Sequence, residues 1–157
     1  GSGEGALANG NIAAAEHLIA RGGRITLAAA ACLGRMDEVQ RLLPQATDHD
    51  KQVALIAAAF YGKPEMVKAL IAAGADVNAF IDGGFHAHAT ALHQAVCSGS
   101  LETVKLLREA GANPDATDKV YHGTPLGWAL YMQGEEQDAE KRERYQEIER
   151  YLRRYVP

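Results

Sequence analysis

The chain has 157 residues, of which 47% are hydrophobic and 6% aromatic, and its formal net charge is −4. This length suits one domain with a real hydrophobic core. The slight acidic excess excludes an overall electrostatic footprint for nucleic acid, and no apolar run approaches the roughly 18 residues of a membrane helix. Much of the hydrophobic content is alanine, which favours closely packed helices over a sheet sandwich.

We expect no targeting signal at the beginning of the chain. Residues 1–5 lack the basic and apolar regions of a signal peptide, and we interpret Gly1-Ser2 as a cloning remnant. The two cysteines, Cys32 and Cys97, lie far apart and predict no disulfide framework. Reduced thiols are typical of a cytoplasmic protein, and we expect that location.

A pattern of short helices, glycines and longer amphipathic helices repeats along the chain. Alanine-rich segments lead to Gly34, Gly62, Gly99 and Gly134. An earlier glycine, Gly10, begins a segment that matches the second half of this pattern. Amphipathic stretches follow Gly10, Gly34, Gly62 and Gly99. Their apolar positions are Leu18, Ile19, Val39, Leu42, Leu43, Val67, Leu70, Ile71, Val104 and Leu107. The spacing predicts about ten helices in antiparallel pairs, with Leu92, Val104 and Leu107 buried between neighbouring units.

Longer motifs recur in a fixed order. Thr90-Ala91-Leu92-His93 opens one unit, Gly111-Ala112-Asn113-Pro114-Asp115 closes it, and Thr124-Pro125-Leu126 opens the next. Gly74-Ala75-Asp76-Val77-Asn78 closes the preceding unit. Through these motifs the chain resembles the ankyrin-repeat family over roughly residues 5–157. The resemblance implies an all-α solenoid of stacked helix–turn–helix units with short hairpin fingers.

We divide this single domain into five approximate units, 5–24, 25–50, 51–87, 88–121 and 122–157. The first unit lacks the usual opening motif, so we expect the chain to begin inside a repeat, as an excerpt of a longer protein. Fingers are expected near residues 77–90 and 114–124. The double glycine Gly83-Gly84 predicts the tip of an enlarged finger.

The last unit contains an insertion. Charged residues from Glu135 to Glu143 separate Gly134 from the apolar positions Ile148 and Leu152. Because these charged residues are good helix formers, we predict that they lengthen a helix and give the solenoid a polar cap. A coiled-coil partner helix is the alternative, although its apolar seam is too short for several heptads.

Family geometry also implies where a partner binds. In ankyrin repeats the binding surface consists of the finger tips and the two positions before each mid-repeat glycine. Aromatic side chains there are typical of interaction hot spots, although such rings also pack between helices. Phe80 is expected to pack on its finger stem. The predicted partner-binding residues are Phe60, Tyr61, Phe85, Cys97, Tyr121, Trp128, Tyr131 and Met132.

Histidines near Cys97 are the one group that suggests metal chemistry, because imidazoles and thiolates bind zinc. The resemblance instead assigns His93 to a backbone hydrogen bond between repeats, and His86 with His88 makes a weak surface site at most. We therefore predict no metal and no cofactor. The phosphate-loop, nucleophile-elbow and His-Glu-x-x-His motifs are missing from the sequence, so we predict no catalytic residue and no enzyme.

The sequence thus predicts a protein–protein interaction module, a scaffold that is monomeric in isolation. Its partner is an unidentified protein or peptide bound by the concave face and fingers, with neither nucleic acid nor membrane as a partner. One alternative is an aromatic cage of Trp128, Tyr131 and Tyr61 that reads a quaternary ammonium, with an acidic residue at the mouth of its pocket. The other is a structural spacer in a larger protein, for which a featureless concave face is expected.

Overall fold

A computed structural model describes residues 25–81 and 88–154. The first predicted helix pair, in residues 5–24, and the finger residue Phe85 lie outside the described residues. Eight α-helices are present in the described part. They are α1 (Leu27–Cys32), α2 (Met36–Leu42), α3 (Asp48–Phe60), α4 (Pro64–Ala72), α5 (Ala91–Ser98), α6 (Leu101–Glu109), α7 (Pro125–Glu135) and α8 (Ala139–Arg153). A 3₁₀ turn, Leu43–Gln45, follows α2.

Side-chain caps explain where many of these helices begin. Thr26, Thr47, Ser100, Thr124 and Asp138 each accept a hydrogen bond from a backbone N–H in the first turn of the helix that follows. These bonds satisfy donors that the helix itself leaves unpaired. The polar residues between the apolar segments therefore fix the helix starts.

The helices form two layers. The first helices of each pair, α1, α3, α5 and α7, pack side by side, while α4, α6 and α8 form the second layer. Leu92, Val104 and Leu107 are all fully buried between these elements, as predicted. Stacked antiparallel pairs without any strand among residues 25–81 and 88–154 confirm the all-α solenoid.

Mid-repeat glycines make the sharp turns between the two helices of a pair. Gly34, Gly62 and Gly99 have φ angles of 73°, 63° and 75°, in the left-handed region that favours glycine. Gly134 differs, because it lies inside α7. The assignment of Gly134 to the same position was therefore wrong: α7 runs through this glycine and ends one residue later, at Glu135.

The charged insertion lengthens α8, as predicted. This helix has 15 residues, whereas α4 and α6 have 9 each. Its apolar face, which includes Ile148 and Leu152, is buried against the domain. The seam considered for a coiled-coil partner is therefore already covered within the chain.

Candidate functional site

The finger between α6 and α7 is organised by one carboxylate. Asp118, only 1% exposed, accepts hydrogen bonds from the backbone N–H groups of Val120 (2.9 Å), Tyr121 (2.5 Å) and Gly123 (2.8 Å). It also accepts one from the indole Nε1–H of Trp128 at 2.9 Å. This side chain, and not a β-ladder, shapes the finger in the described residues, because no strand forms there.

These four donors keep Asp118 ionised. Burial alone raises the pKa of a carboxyl group, but the hydrogen bonds to the charged form outweigh burial and hold the pKa of Asp118 well below its usual range. The four donors are all neutral, so they satisfy the carboxylate without cancelling its charge. A buried negative charge thus lies next to the Trp128 indole.

His93 joins α5 to the same finger. Its Nε2 lies 2.9 Å from the carbonyl oxygen of Gly123, and its Nδ1 lies 3.2 Å from the backbone nitrogen of Thr90. Since a carbonyl only accepts and the Thr90 N–H only donates to Nδ1, the proton belongs on Nε2 and the ring is neutral. Burial lowers the pKa of His93, although the bond to Gly123 opposes this. The inter-repeat backbone bond that the resemblance implied is present.

Trp128 contacts both Asp118 and His93. Its ring centroid lies 4.8 Å from that of His93 and 5.9 Å from that of His88. A Cβ built on Gly123 would meet the indole Cδ1 at 3.1 Å and Asp118 Oδ2 at 3.1 Å. Glycine at position 123 therefore permits the close approach of finger and indole.

A pocket of about 480 Å³ opens between α5, α7 and the 118–123 finger. None of the residues that line it is Asp, Glu, Lys or Arg, so its walls are aromatic and apolar. They are His88, Cys97, Tyr121, Gly123, Gly127, Trp128, Tyr131 and Met132. We refer to this site as the finger pocket.

Five of the predicted partner-binding residues meet in the finger pocket, namely Cys97, Tyr121, Trp128, Tyr131 and Met132. Sequence reasoning missed the two glycines, and His88 was not among its predicted partner-binding residues. The signal for Gly123 was its position directly before the Thr124-Pro125 opening, where a finger returns to a helix. Nothing in the sequence marked Asp118 except its place in a turn-forming stretch.

Large exposed side chains border the finger pocket. Tyr121 is 79% exposed and Tyr131 67% exposed, and Val120 and Leu130 are their exposed neighbours in the chain. Across residues 25–81 and 88–154, these four are the exposed large hydrophobic side chains. The finger and α7 therefore hold all of that exposed apolar surface.

Phe60 and Tyr61 lie elsewhere, at the end of α3. Their rings form an edge-to-face pair with centroids 5.0 Å apart, and both are partly buried against the core. Burial is the main reason why the pKa of Tyr61 is raised. Neither residue lines the finger pocket, and Phe85 lies outside the described residues.

The cysteines are poorly suited to chemistry. Both are free thiols, and burial raises the pKa of Cys97 to about 11 and that of Cys32 to about 12. Because the thiolate is the reactive and metal-binding form, both stay weak nucleophiles at neutral pH. Among the residues that the structure describes, no three His, Cys, Asp or Glu side chains cluster in a way that could hold a metal ion; His86 is outside this set.

Paired helices in two layers, left-handed glycines between them and a histidine bonded to the next unit define a helical-repeat solenoid protein. The family model described as ankyrin repeats (3 copies) matches residues 5–81 and 27–118. The chain belongs to the ankyrin-repeat family, whose domains are generally protein–protein interaction modules. No curated protein matches the chain. Within the described ranges, no helix has the length and apolar character needed to cross a membrane.

Proposed function

We propose that this domain binds a segment of another protein in the finger pocket. The observation that carries the proposal is the position of the exposed large hydrophobic residues in the described part of the chain, which all belong to the finger and α7 beside the pocket. Apolar surface that is concentrated in one place marks an interaction site more often than scattered single residues do. Covering Tyr121 and Tyr131 is expected to contribute about 1–2 kcal/mol each to binding.

The anchored pocket wall supports the same proposal. Trp128 is held by Asp118 on its nitrogen and by His93 against its ring. A wall that is fixed before binding loses little conformational entropy when a partner arrives. Tyr121 and Tyr131 then provide the outer contacts, while the anchored indole provides the inner one.

Pocket chemistry indicates what kind of segment fits. The volume of about 480 Å³ lies within the range of sites that enclose a small ligand or a few side chains. Because none of the lining side chains is an acid, lysine or arginine, an apolar anchor side chain is the expected occupant. The buried charge of Asp118 and the chain's net charge of −4 favour a partner segment that is weakly basic around that anchor.

Matched variants on α7 test the proposal. The wild-type domain and its Tyr131→Ala and Leu130→Ala variants are used to capture partners, and the affinity of the captured partner is then measured for all three. Leu130 is an exposed neighbour that does not line the pocket. We expect Tyr131→Ala to weaken binding about tenfold and Leu130→Ala to weaken it much less. If all three proteins bind with equal affinity, and circular dichroism shows that they are folded, the partner does not bind in the finger pocket.

An aromatic cage for a cationic group is the second candidate. Three rings, those of Tyr121, Trp128 and Tyr131, line the finger pocket; Tyr121 takes the place that we had expected for Tyr61. A carboxylate bonded to the indole N–H increases the electron density of the ring face, which favours a cation there. Asp118 is buried behind the indole, however, and does not lie at the pocket mouth, so a cation is attracted without being paired.

Two isosteric probes separate these candidates. Choline carries a quaternary ammonium, and 3,3-dimethyl-1-butanol has nearly the same shape without the charge. If the site is a cage, choline binds at least about tenfold more tightly than the alcohol, since cation–π contacts in desolvated sites reach about 2 kcal/mol. Equal or absent binding of both probes leaves the apolar protein segment as the ligand.

We also propose that the domain acts as a monomer in the cytoplasm and has no nucleic-acid partner. The free thiols of Cys32 and Cys97 support a reducing compartment. The net charge of −4 is unsuited to nucleic acid. Exposed rings at a defined pocket favour a binding module over a structural spacer. Sedimentation equilibrium tests the oligomeric state, and a dimeric mass contradicts it.

A further inference from the structure

A second, smaller depression lies between α6 and α8, in the outer layer of the solenoid. Its volume is about 180 Å³, roughly the space of one side chain. The residues that line it are Leu101, Lys105, Glu147, Arg150, Tyr151 and Arg154. We refer to it as the α6/α8 groove. None of these residues belongs to the finger pocket.

Positive charge is concentrated in the α6/α8 groove although the chain as a whole is acidic. Lys105, Arg150 and Arg154 contribute three cations against the single carboxylate of Glu147. The Lys105 ammonium lies 5.7 Å and the Arg154 guanidinium 6.0 Å from the centroid of the Tyr151 ring. One ring therefore holds two cations at cation–π distance.

Glu147 at the groove and Glu149, whose pKa the charge of Arg150 helps to lower, compensate this group only in part. Among the described residues, no ion pair includes Lys105, Arg150 or Arg154. Arg150 and Arg154 are one helical turn apart, and like charges at this spacing destabilise a helix. Their place near the end of α8 offers partial compensation from the helix dipole. The dipole of α8 does not explain why Lys105, which belongs to α6, lies beside these two arginines.

We propose that the α6/α8 groove binds an acidic peptide segment of a protein partner. A carboxylate of the peptide accepts hydrogen bonds from the Lys105 ammonium and the Arg154 guanidinium, whose donor fork matches a carboxylate. Leu101 adds an apolar wall for a neighbouring side chain. This inference does not depend on the function proposed for the finger pocket.

Size and charge favour a peptide over a nucleic acid. A groove of about 180 Å³ accepts a single side chain, whereas a nucleic acid is held by a basic stripe that contacts several phosphates. Glu147 at the groove would repel a closely spaced polyanion. One or two carboxylates on a peptide that also carries apolar residues match the groove better.

Fluorescence anisotropy tests the proposal with a dye-labelled peptide of neutral residues that carries one leucine and two glutamates beside it. The test variant is Lys105→Gln combined with Arg154→Gln. The control combines Lys141→Gln with Arg144→Gln, which removes the same charge from exposed positions of α8 outside the groove. We expect the test variant to lose about fivefold or more in affinity and the control to lose less than about twofold.

Each other outcome overturns the proposal. If both double variants lose the same affinity, the peptide is held by general charge attraction and not by the groove. If the peptide does not bind the wild-type chain saturably, the groove is not a binding site. Displacement of the peptide by inorganic phosphate at equal concentration makes the groove a site for free oxyanions.

Tyr131→Ala should leave peptide binding unchanged, which separates this groove from the finger pocket. If the double variant does not fold by circular dichroism, Lys105→Gln alone provides the same comparison against Lys141→Gln.

Discussion

The indole nitrogen of Trp128 donates its proton to Asp118 Oδ2 at 2.9 Å. This bond connects a helix of one repeat to the finger that precedes it. The same carboxylate also gathers three backbone N–H groups. The shape of the finger, the position of the indole and the wall of the finger pocket therefore depend on one buried side chain.

Removing that carboxylate is expected to destabilise the domain. Asp118→Ala leaves four donors without their acceptor, and we expect a loss of about 3 kcal/mol in the free energy of unfolding. Asp115→Ala, an exposed aspartate three positions earlier, is the control and should stay within about 0.5 kcal/mol of wild type. Urea denaturation measures both, and similar values for the two variants contradict the role given to Asp118.

His93 predicts a distinct pH dependence. Because burial lowers its pKa in the folded state, the unfolded chain takes up the proton first as the pH falls. The contribution to stability is complete above the unfolded pKa of about 6.5 and is lost as the pH falls from there toward the lower folded value. Denaturation midpoints between pH 7.5 and pH 5 should fall more steeply for wild type than for His93→Gln. Equal slopes contradict the prediction.

Leu107 tests the placement of the core. It is fully buried, so Leu107→Ala should lower the free energy of unfolding by about 2–5 kcal/mol. Glu109→Ala, an exposed residue of the same helix, should change it by less than about 0.5 kcal/mol. A loss below about 0.5 kcal/mol for Leu107→Ala would show that the helix face is misplaced.

Alanine substitutions at two glycines distinguish the cost of backbone strain from the cost of side-chain crowding. Gly34 and Gly62 both have left-handed φ angles, but a Cβ at position 34 meets nothing within 4 Å. A Cβ at position 62 lies 3.3 Å from atoms of Ser98 and Ser100. Gly34→Ala should therefore cost about 1 kcal/mol through strain, and Gly62→Ala about 1 kcal/mol more through crowding. Equal losses in thermal or urea denaturation contradict the packing at Gly62.

Helix periodicity and recurring glycines were enough to predict much of the fold. The spacing of Leu92, Val104 and Leu107 identified residues that are all fully buried. Gly134 shows where the pattern fails, because α7 runs through this glycine and ends only at Glu135. The turn between α7 and α8 comes after Glu135 instead, within the charged insertion.

The finger pocket was harder to predict. Its lining residues come from α5, the turn before it, α7 and the 118–123 finger, and the hydrogen bonds of Asp118 hold the finger and the indole in place. Such a bond network leaves no periodicity in the sequence. Phe60 and Tyr61 occupy the family's variable positions, yet they pack partly against the core at a different place. Family geometry thus identified candidate positions without showing which of them share one pocket.

Intrinsic fluorescence gives the most direct measurement of the central claim, because Trp128 is the single tryptophan of the chain and lines the finger pocket. A partner that has no tryptophan, or whose tryptophans are replaced, is titrated into the domain while Trp128 emission is recorded. If the partner occupies the pocket, emission shifts or is quenched with a saturable curve that matches the affinity. That curve moves to higher concentration in Tyr131→Ala but not in Leu130→Ala. Full binding with unchanged Trp128 emission would contradict the account.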